Sequence, residues 1–173
     1  MIKKAIIVLI GLSQILFAKS NTEKIGDFLT FTIPALAYGS TFYMDDEEGR
    51  MEFYKTYGFT MLSTIALKYT IRAKRPDNND RDSFPSGHTA SAISGAVFIH
   101  KRYGFEYALP AYLGAFYTAY SRIQVNRHHP RDVLAGALIG AVSSWAFTTP
   151  YKRLNIMPVV ESGYKGISVE YRF

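Results

Sequence analysis

Apolar residues gather in five long stretches, at 28–43, 57–71, 89–99, 107–123 and 133–149, separated by short polar runs such as MDDEEGR and HKRYGFE. Each stretch spans several helical turns, and frequent Gly and Ala allow helices to approach closely. The pattern predicts an all-α fold, a helical bundle in which the helices bury one another. Past Pro150 the period changes. In GISVEYRF, Ile167, Val169, Tyr171 and Phe173 fall on one face of an alternating strand. With RLNIMPVV before it and ESGYKG between, the segment predicts a short C-terminal β-hairpin. One hairpin cannot close a barrel, so it is expected to be a cap packed on the helices. The expected organisation is a helical domain over 24–150 and a hairpin extension over 151–173.

The first twenty residues, MIKKAIIVLIGLSQILFAKS, set two lysines before an apolar run from Ala5 to Leu12 and end on a small residue. That layout predicts a signal peptide over 1–18, with Ala18 at the cleavage position. Leu16 is large for the −3 position, so an uncleaved N-terminal anchor is the alternative. Both readings export the domain, to the periplasm or to the periplasmic face of the membrane. The five later stretches fall short of the roughly 20 apolar residues of a spanning helix, carry Tyr, Thr and Ser, and belong to a chain of mean hydropathy −0.02. They favour an exported domain, soluble or lying on the membrane. A six-span form is the alternative, with MDDEEGR, HKRYGFE and YKR on one side and the stretches described next on the other.

Composition narrows the chemistry. At 173 residues the chain suits one domain, and its net charge of +6 makes anions such as phosphate esters and acidic lipids fitting partners. It has no cysteine, which excludes disulfides, a thiol nucleophile and a Cys-based zinc site. The four histidines are His88, His100, His128 and His129. Adjacent histidines seldom reach one ion, and the neighbouring Lys and Arg repel cations, so no metal is expected. Nucleic acid is not expected either, for want of an aromatic–basic platform.

Three stretches carry candidate chemistry. In LKYTIRAKRPDNNDRD, Lys68, Arg72 and Arg75 fall at i, i+4 and i+7, on one face of a helix expected to end before Pro76. Such a face needs an anion, or carboxylates from Asp77, Asp80 and Asp82 as an ordinary salt-bridged loop would supply. In SFPSGHTAS, Pro85 suits a first helical turn, and Ser86 and Gly87 leave backbone N–H groups open to an anion beside His88. A plain helix cap followed by a surface histidine would look the same. In YSRIQVNRHHPRDVLAGALIGA, Ser121 and Arg122 close one apolar helix and Pro130 opens the next. Asp132, four residues after His128, is placed to accept that ring's N–H, or else serves as a first-turn acid favoured by the helix dipole.

Together these residues resemble the type 2 phosphatidic acid phosphatase and vanadium haloperoxidase superfamily, whose three motifs are K-x6-RP, PSGH and SR-x5-H-x3-D. KYTIRAKRP at 68–76, PSGH at 85–88 and SRIQVNRHHPRD at 121–132 match them in order and without mismatch. The resemblance covers the chain from Lys68 to Asp132 and selects His128 over His129. It implies a bundle with the motifs gathered at one end. Lys68, Arg75 and Arg122, with the Ser86 hydroxyl and the Gly87 N–H, would bind phosphate. His128 would be the nucleophile forming a phosphohistidine, Asp132 its orienting acid, and His88 the proton donor to the leaving alcohol. No metal or other cofactor is implied.

These roles meet the needs of phosphoryl transfer, which asks for fixed charge on the equatorial oxygens and in-line placement of nucleophile and leaving group. The expected function is a metal-independent phosphomonoesterase of the bacterial cell envelope. Its substrate would be a lipid phosphate (phosphatidic acid, a prenyl pyrophosphate or a lipid A phosphate) or a small phosphate ester. The 12 Phe and 13 Tyr lean towards lipid and a membrane surface, though aromatics also fill cores. Two rivals remain: a vanadate-dependent haloperoxidase, disfavoured by the short chain, and a non-catalytic phospholipid-binding protein, disfavoured by the full set of catalytic positions.

Overall fold

The computed structural model describes the backbone of residues 2–77, 80–151, 154–161 and 164–171, and side chains over 21–77, 80–151, 158–160 and 165–169. Five helices run in order, α1 (Ile2–Tyr43), α2 (Glu47–Ile71), α3 (Gly87–Tyr103), α4 (Phe105–Gln124) and α5 (Pro130–Phe147), followed by strands β1 (Leu154–Glu161) and β2 (Tyr164–Tyr171). Each apolar stretch becomes a helix, and the signal-like segment joins the first of them as one continuous α1. Leu16 and Ala18, as side chains, and Phe173 lie outside the described residues.

α3 is the axis of the bundle. Every residue from Thr89 to Ile99 is buried, and α1, α2, α4 and α5 all pack against this helix. Small residues make that possible. A Cβ on Gly136 would stand 2.3 Å from the Ser86 carbonyl, and one on Gly140 would stand 2.5 Å from the Ala90 carbonyl. Both glycines therefore let α5 lie against the start of α3. The tight interior leaves hydroxyls to be satisfied, and they are: Ser91 donates to the Thr30 carbonyl and Ser144 to the Ser94 carbonyl, both at 2.9 Å.

Large apolar side chains lie on the outside instead. Phe28, Phe31 and Leu36 of α1, Leu62 of α2, Leu113 and Phe116 of α4, and Leu134 and Leu138 of α5 are all exposed. Many aromatics are thus peripheral rather than core. Among the described residues, no helix is long and apolar enough to cross a membrane.

The end of the bundle formed by the α3–α4 turn is closed by charge. Gly104, at φ 114°, reverses the chain between α3 and α4. Just before it, Arg102 is 2 % exposed and is bound by three carboxylates, Asp46 at 2.5 Å, Glu48 at 3.1 Å and Glu52 at 3.2 Å. Its Nη1 also donates to the Thr149 carbonyl at 3.0 Å. Asp46 caps α2 as well, accepting from the Gly49 N–H at 2.9 Å. The clamp therefore ties the start of α2 and the ends of α3 and α5 together.

Two expectations need correction. α2 ends at Ile71, and Arg72 adopts a left-handed cap conformation at φ 48°, its N–H bonding to the Lys68 carbonyl. Lys68, Arg72 and Arg75 therefore do not share a helical face. The hairpin pairs as the alternation predicts, antiparallel with Pro158 opposite Ile167 and Ile156 opposite Val169. Yet Val160, Ile167 and Val169 are 74 %, 73 % and 62 % exposed, so at these positions the hairpin is no packed cap. Alternation fixes which residues share a face, not what covers it.

Candidate active site

The chain reverses at each helix end, so the end of α2, the start of α3, the end of α4 and the start of α5 meet at the end of the bundle opposite the Arg102 clamp. All three sequence motifs lie there.

The first motif is organised by Asp82. Arg75 donates from Nε to its Oδ1 at 2.7 Å and from Nη2 to its Oδ2 at 3.0 Å, a two-pronged carboxylate pairing. Lys68 donates to the Asp82 carbonyl. The carboxylates expected near these cations are present: Asp80 stands 3.9 Å from Arg75, while Asp77 turns to Arg127 at 3.4 Å. An open cleft of about 630 Å³, lined by Lys68, Tyr69, Arg72, Arg81 and Asp82 among others, adjoins this corner.

Pro85 precedes α3 rather than entering its first turn, and Ser86 is the N-cap. The Ser86 hydroxyl is fully buried and lies 3.0 Å from the Thr89 hydroxyl. That hydroxyl caps the start of α3, accepting from the Thr89 N–H. Gly87 is half-buried, and a Cβ there would stand 3.8 Å from Lys68 Cε. This places the first backbone of α3 beside the Lys68 side chain.

His128 is buried, and its Nδ1 lies 2.7 Å from the Ser83 carbonyl oxygen. A carbonyl only accepts, so Nδ1 carries the hydrogen and Nε2 keeps a lone pair. The expected contact between Asp132 and this ring is not made. Asp132 Oδ2 accepts from the Ser83 hydroxyl at 2.6 Å and from the His129 N–H at 2.9 Å. Ser83 stands between the two, bonding Asp132 through its side chain and His128 through its carbonyl. The reason is helix geometry: an acid at the third position of α5 folds back onto the N-cap backbone, where it satisfies an open N–H. Oδ1 of Asp132 is buried without a hydrogen-bond partner among the described residues, 3.6 Å from Arg131 Nε.

The other histidine meets an acid from α1. His88 Nε2 lies 3.0 Å from Asp27 Oδ1, and the same oxygen accepts from Arg122 Nη1 at 2.7 Å. Arg122 is held further by the Glu23 carbonyl at 2.9 Å and the Ser121 hydroxyl at 3.0 Å. Gly26 permits this approach, since a Cβ there would stand 2.0 Å from Ser121 Oγ. Arg127 pairs with Glu23 at 3.0 Å, and is thereby a surface partner of α1.

The electrostatics join the two halves. Burial, then the charges of Lys68 and Arg75, push His128 down to about 4, against the pull of Asp132. Burial and Arg122 lower His88, with Arg75 adding to them and Asp27 opposing. Arg75 therefore acts on both rings. Burial also lowers Lys68. At neutral pH the site holds a neutral imidazole with a free Nε2, surrounded by fixed cations. That arrangement can attack an electrophile bearing negative oxygens. Among the described residues, no three His, Asp or Glu side chains stand together as metal ligands would.

Sequence reasoning overlooked Asp27, Glu23 and Ser83. Ser83 lies just before PSGH and in none of the three motifs. Asp27 sits alone at the edge of an apolar run, and its partner Arg122 is 95 positions away.

Comparison with known proteins bears on the family and the fold. The family model described as the PAP2 superfamily matches residues 8–156. A lipid A 4'-phosphatase of Helicobacter pylori is 34 % identical over 159 residues, covering 84 % of this chain and 80 % of that protein. A lipid A 1-phosphatase of Porphyromonas gingivalis is 44 % identical over 78 residues, 43 % of this chain but 18 % of the larger protein. Among solved structures, Aquifex aeolicus LpxE superposes with a TM-score of 0.64 at 23 % identity, covering 75 % of this chain and 84 % of that one. At that identity the likeness speaks for the fold.

Proposed function

The chain belongs to the PAP2 superfamily, and from that premise we propose that it is a lipid phosphate phosphatase of the cell envelope, working without metal through a phosphohistidine on His128. The observation that carries this reading is the bond of His128 Nδ1 to the Ser83 carbonyl at 2.7 Å, which leaves the lone pair on Nε2 of a ring kept neutral by burial and by Lys68 and Arg75.

Nε2 of His128 attacks phosphorus and forms the P–N bond as the P–O bond to the alcohol breaks. His88 passes a proton to the departing oxygen. Water then attacks the phosphohistidine, His88 takes up the proton, and inorganic phosphate leaves with His128 restored. Lys68, Arg75 and Arg122, with the Gly87 N–H at the head of α3, stabilise charge on the transferring oxygens. Asp132 supports the nucleophile through Ser83.

The relatives' names, lipid A 4'-phosphatase and lipid A 1-phosphatase, make lipid A phosphates the first substrates to test. The apolar outer faces of α1, α4 and α5 suit an enzyme that meets its substrate at a membrane. The N-terminal stretch would export it there, with the site towards the periplasm.

The test is phosphate release from lipid A and from short-chain phosphatidic acid with EDTA present, comparing the wild type with His128→Ala. Turnover without metal that disappears in the variant supports the reading. Lipid binding without turnover overturns it in favour of a binding protein.

A further inference from the structure

We propose that Asp27 is a positioning residue for the leaving-group acid, forming with His88 a carboxylate–imidazole pair that the three sequence motifs do not contain. The inference rests on the phosphatase reading and assigns a part within that site to α1.

The geometry is specific. Asp27 Oδ1 lies 3.0 Å from His88 Nε2, within hydrogen-bond reach. A carboxylate there requires a hydrogen on Nε2, and so dedicates Nδ1 to proton exchange with the substrate. In the first step doubly protonated His88 gives its Nδ1 proton to the oxygen of the departing alcohol as the P–O bond breaks. The neutral ring left behind is the Nε2–H tautomer, already bonded to Asp27. In the second step Nδ1 takes a proton from the attacking water. The ring need not turn over between steps, because one nitrogen stays on the carboxylate throughout.

Two features keep Asp27 in place. Arg122 Nη1 holds the same oxygen at 2.7 Å, and Gly26 brings α1 against Ser121 and Arg122. The pairing also answers an electrostatic need. The charged groups acting on His88 from the packed elements are Arg122 of α4, Arg75 of the α2–α3 loop and Asp27 of α1. The first two oppose a protonated ring. Asp27 alone among them favours it.

A carboxylate that only braced Arg122 would affect phosphate binding whatever the leaving group. One that serves the acid matters in proportion to how badly the leaving group needs a proton. The experiment compares kcat for p-nitrophenyl phosphate, whose phenolate leaves unaided, with kcat for an alkyl phosphate. It uses the wild type, Asp27→Asn, Asp27→Ala, His88→Ala and the Asp27→Asn/His88→Ala double variant, with thermal melts confirming that each is folded. The alkyl substrate is expected to lose at least about tenfold more than the aryl one on Asp27→Asn, a part of the about 10²–10⁴ that general acid catalysis supplies. In the His88→Ala background, Asp27→Asn is expected to add no further selectivity. Equal losses on both substrates, unchanged rates on both, or full additivity in the double variant would each overturn the assignment. A wild type inactive on both substrates would sink the phosphatase reading itself, a result distinct from any of these.

Discussion

Two buried arginines mark opposite ends of the bundle, and their surroundings differ in one respect that matters. Arg102 is bound by Asp46, Glu48 and Glu52, with a carbonyl and a hydroxyl from Thr149 besides. Arg122 has a single carboxylate, Asp27, which is 46 % exposed and shared with His88. The first is surrounded by an excess of negative charge and has nothing left to offer an anion. The second faces one half-exposed carboxylate that His88 also uses, so its charge is less fully matched than that of Arg102. One arginine closes the fold, and the other is the one proposed to meet phosphate. Burial alone does not separate these roles; the count of facing carboxylates does.

The comparison predicts that the two arginines fail differently. Arg102→Ala should cost about 3–5 kcal/mol of stability, the usual result of leaving buried charges without their partner, read as a lower denaturation midpoint with near-normal activity per folded molecule. Arg122→Ala should take about 2.7–4 kcal/mol from the transition state, as loss of one oxyanion donor does, read in kcat/KM, with a smaller change in stability. If Arg102→Ala lost activity while staying fully stable, the two ends would not divide the labour as described.

Ser83→Ala sharpens the account of the catalytic end. It removes the hydroxyl that serves Asp132 while keeping the carbonyl that serves His128. The expected cost is about 1–3 kcal/mol, that of stripping a bond from a buried charged group, visible in chemical denaturation and as a moderate fall in rate. A rate loss as severe as that of His128→Ala would show that Ser83 does more than connect.

The smallest expected effect is the pH profile. Because burial and Lys68 push His128 down to about 4, the proposed nucleophile stays neutral well below the ordinary histidine range. The acid limb of kcat/KM, which reports the free enzyme, should lie near pH 4, with about tenfold lost per unit below it. Protonation weakens the nucleophile, so activity falls as pH falls. A limb at the ordinary value of 6.5 would mean that His128 does not feel the cations around it.

How far these features could be read from the sequence follows from where their causes lie. The helices were legible because apolar stretches of their length pack no other way, and the start of α5 because Pro130 and Asp132 are local signals. The end of α2 was not: Arg72 takes a left-handed conformation that nothing in LKYTIRAKRP announces. The strand pairing of the hairpin was legible from alternation, and its exposure was not, since cover is a tertiary property. In the site, resemblance supplied the motif residues, but Ser83 takes the place beside His128 expected for Asp132. Asp27 was invisible because its two partners come from other helices. The exposure of so many large apolar residues was equally hidden. The same Phe and Leu pattern fits a core, and only the small residues of α3, Ala90, Ala92, Gly95 and Ala96, decide that the interior has no room for them.

The phosphohistidine can be caught by mixing enzyme with a phosphorylated lipid, quenching in alkali within the first turnover, and mapping phosphate on the peptides by mass spectrometry. A phosphoryl group is expected on His128, disappearing on chasing with water and never forming in His128→Ala. Phosphate release by an enzyme that carries no phosphoryl group at any time, or carries it on a residue other than His128, would contradict this mechanism.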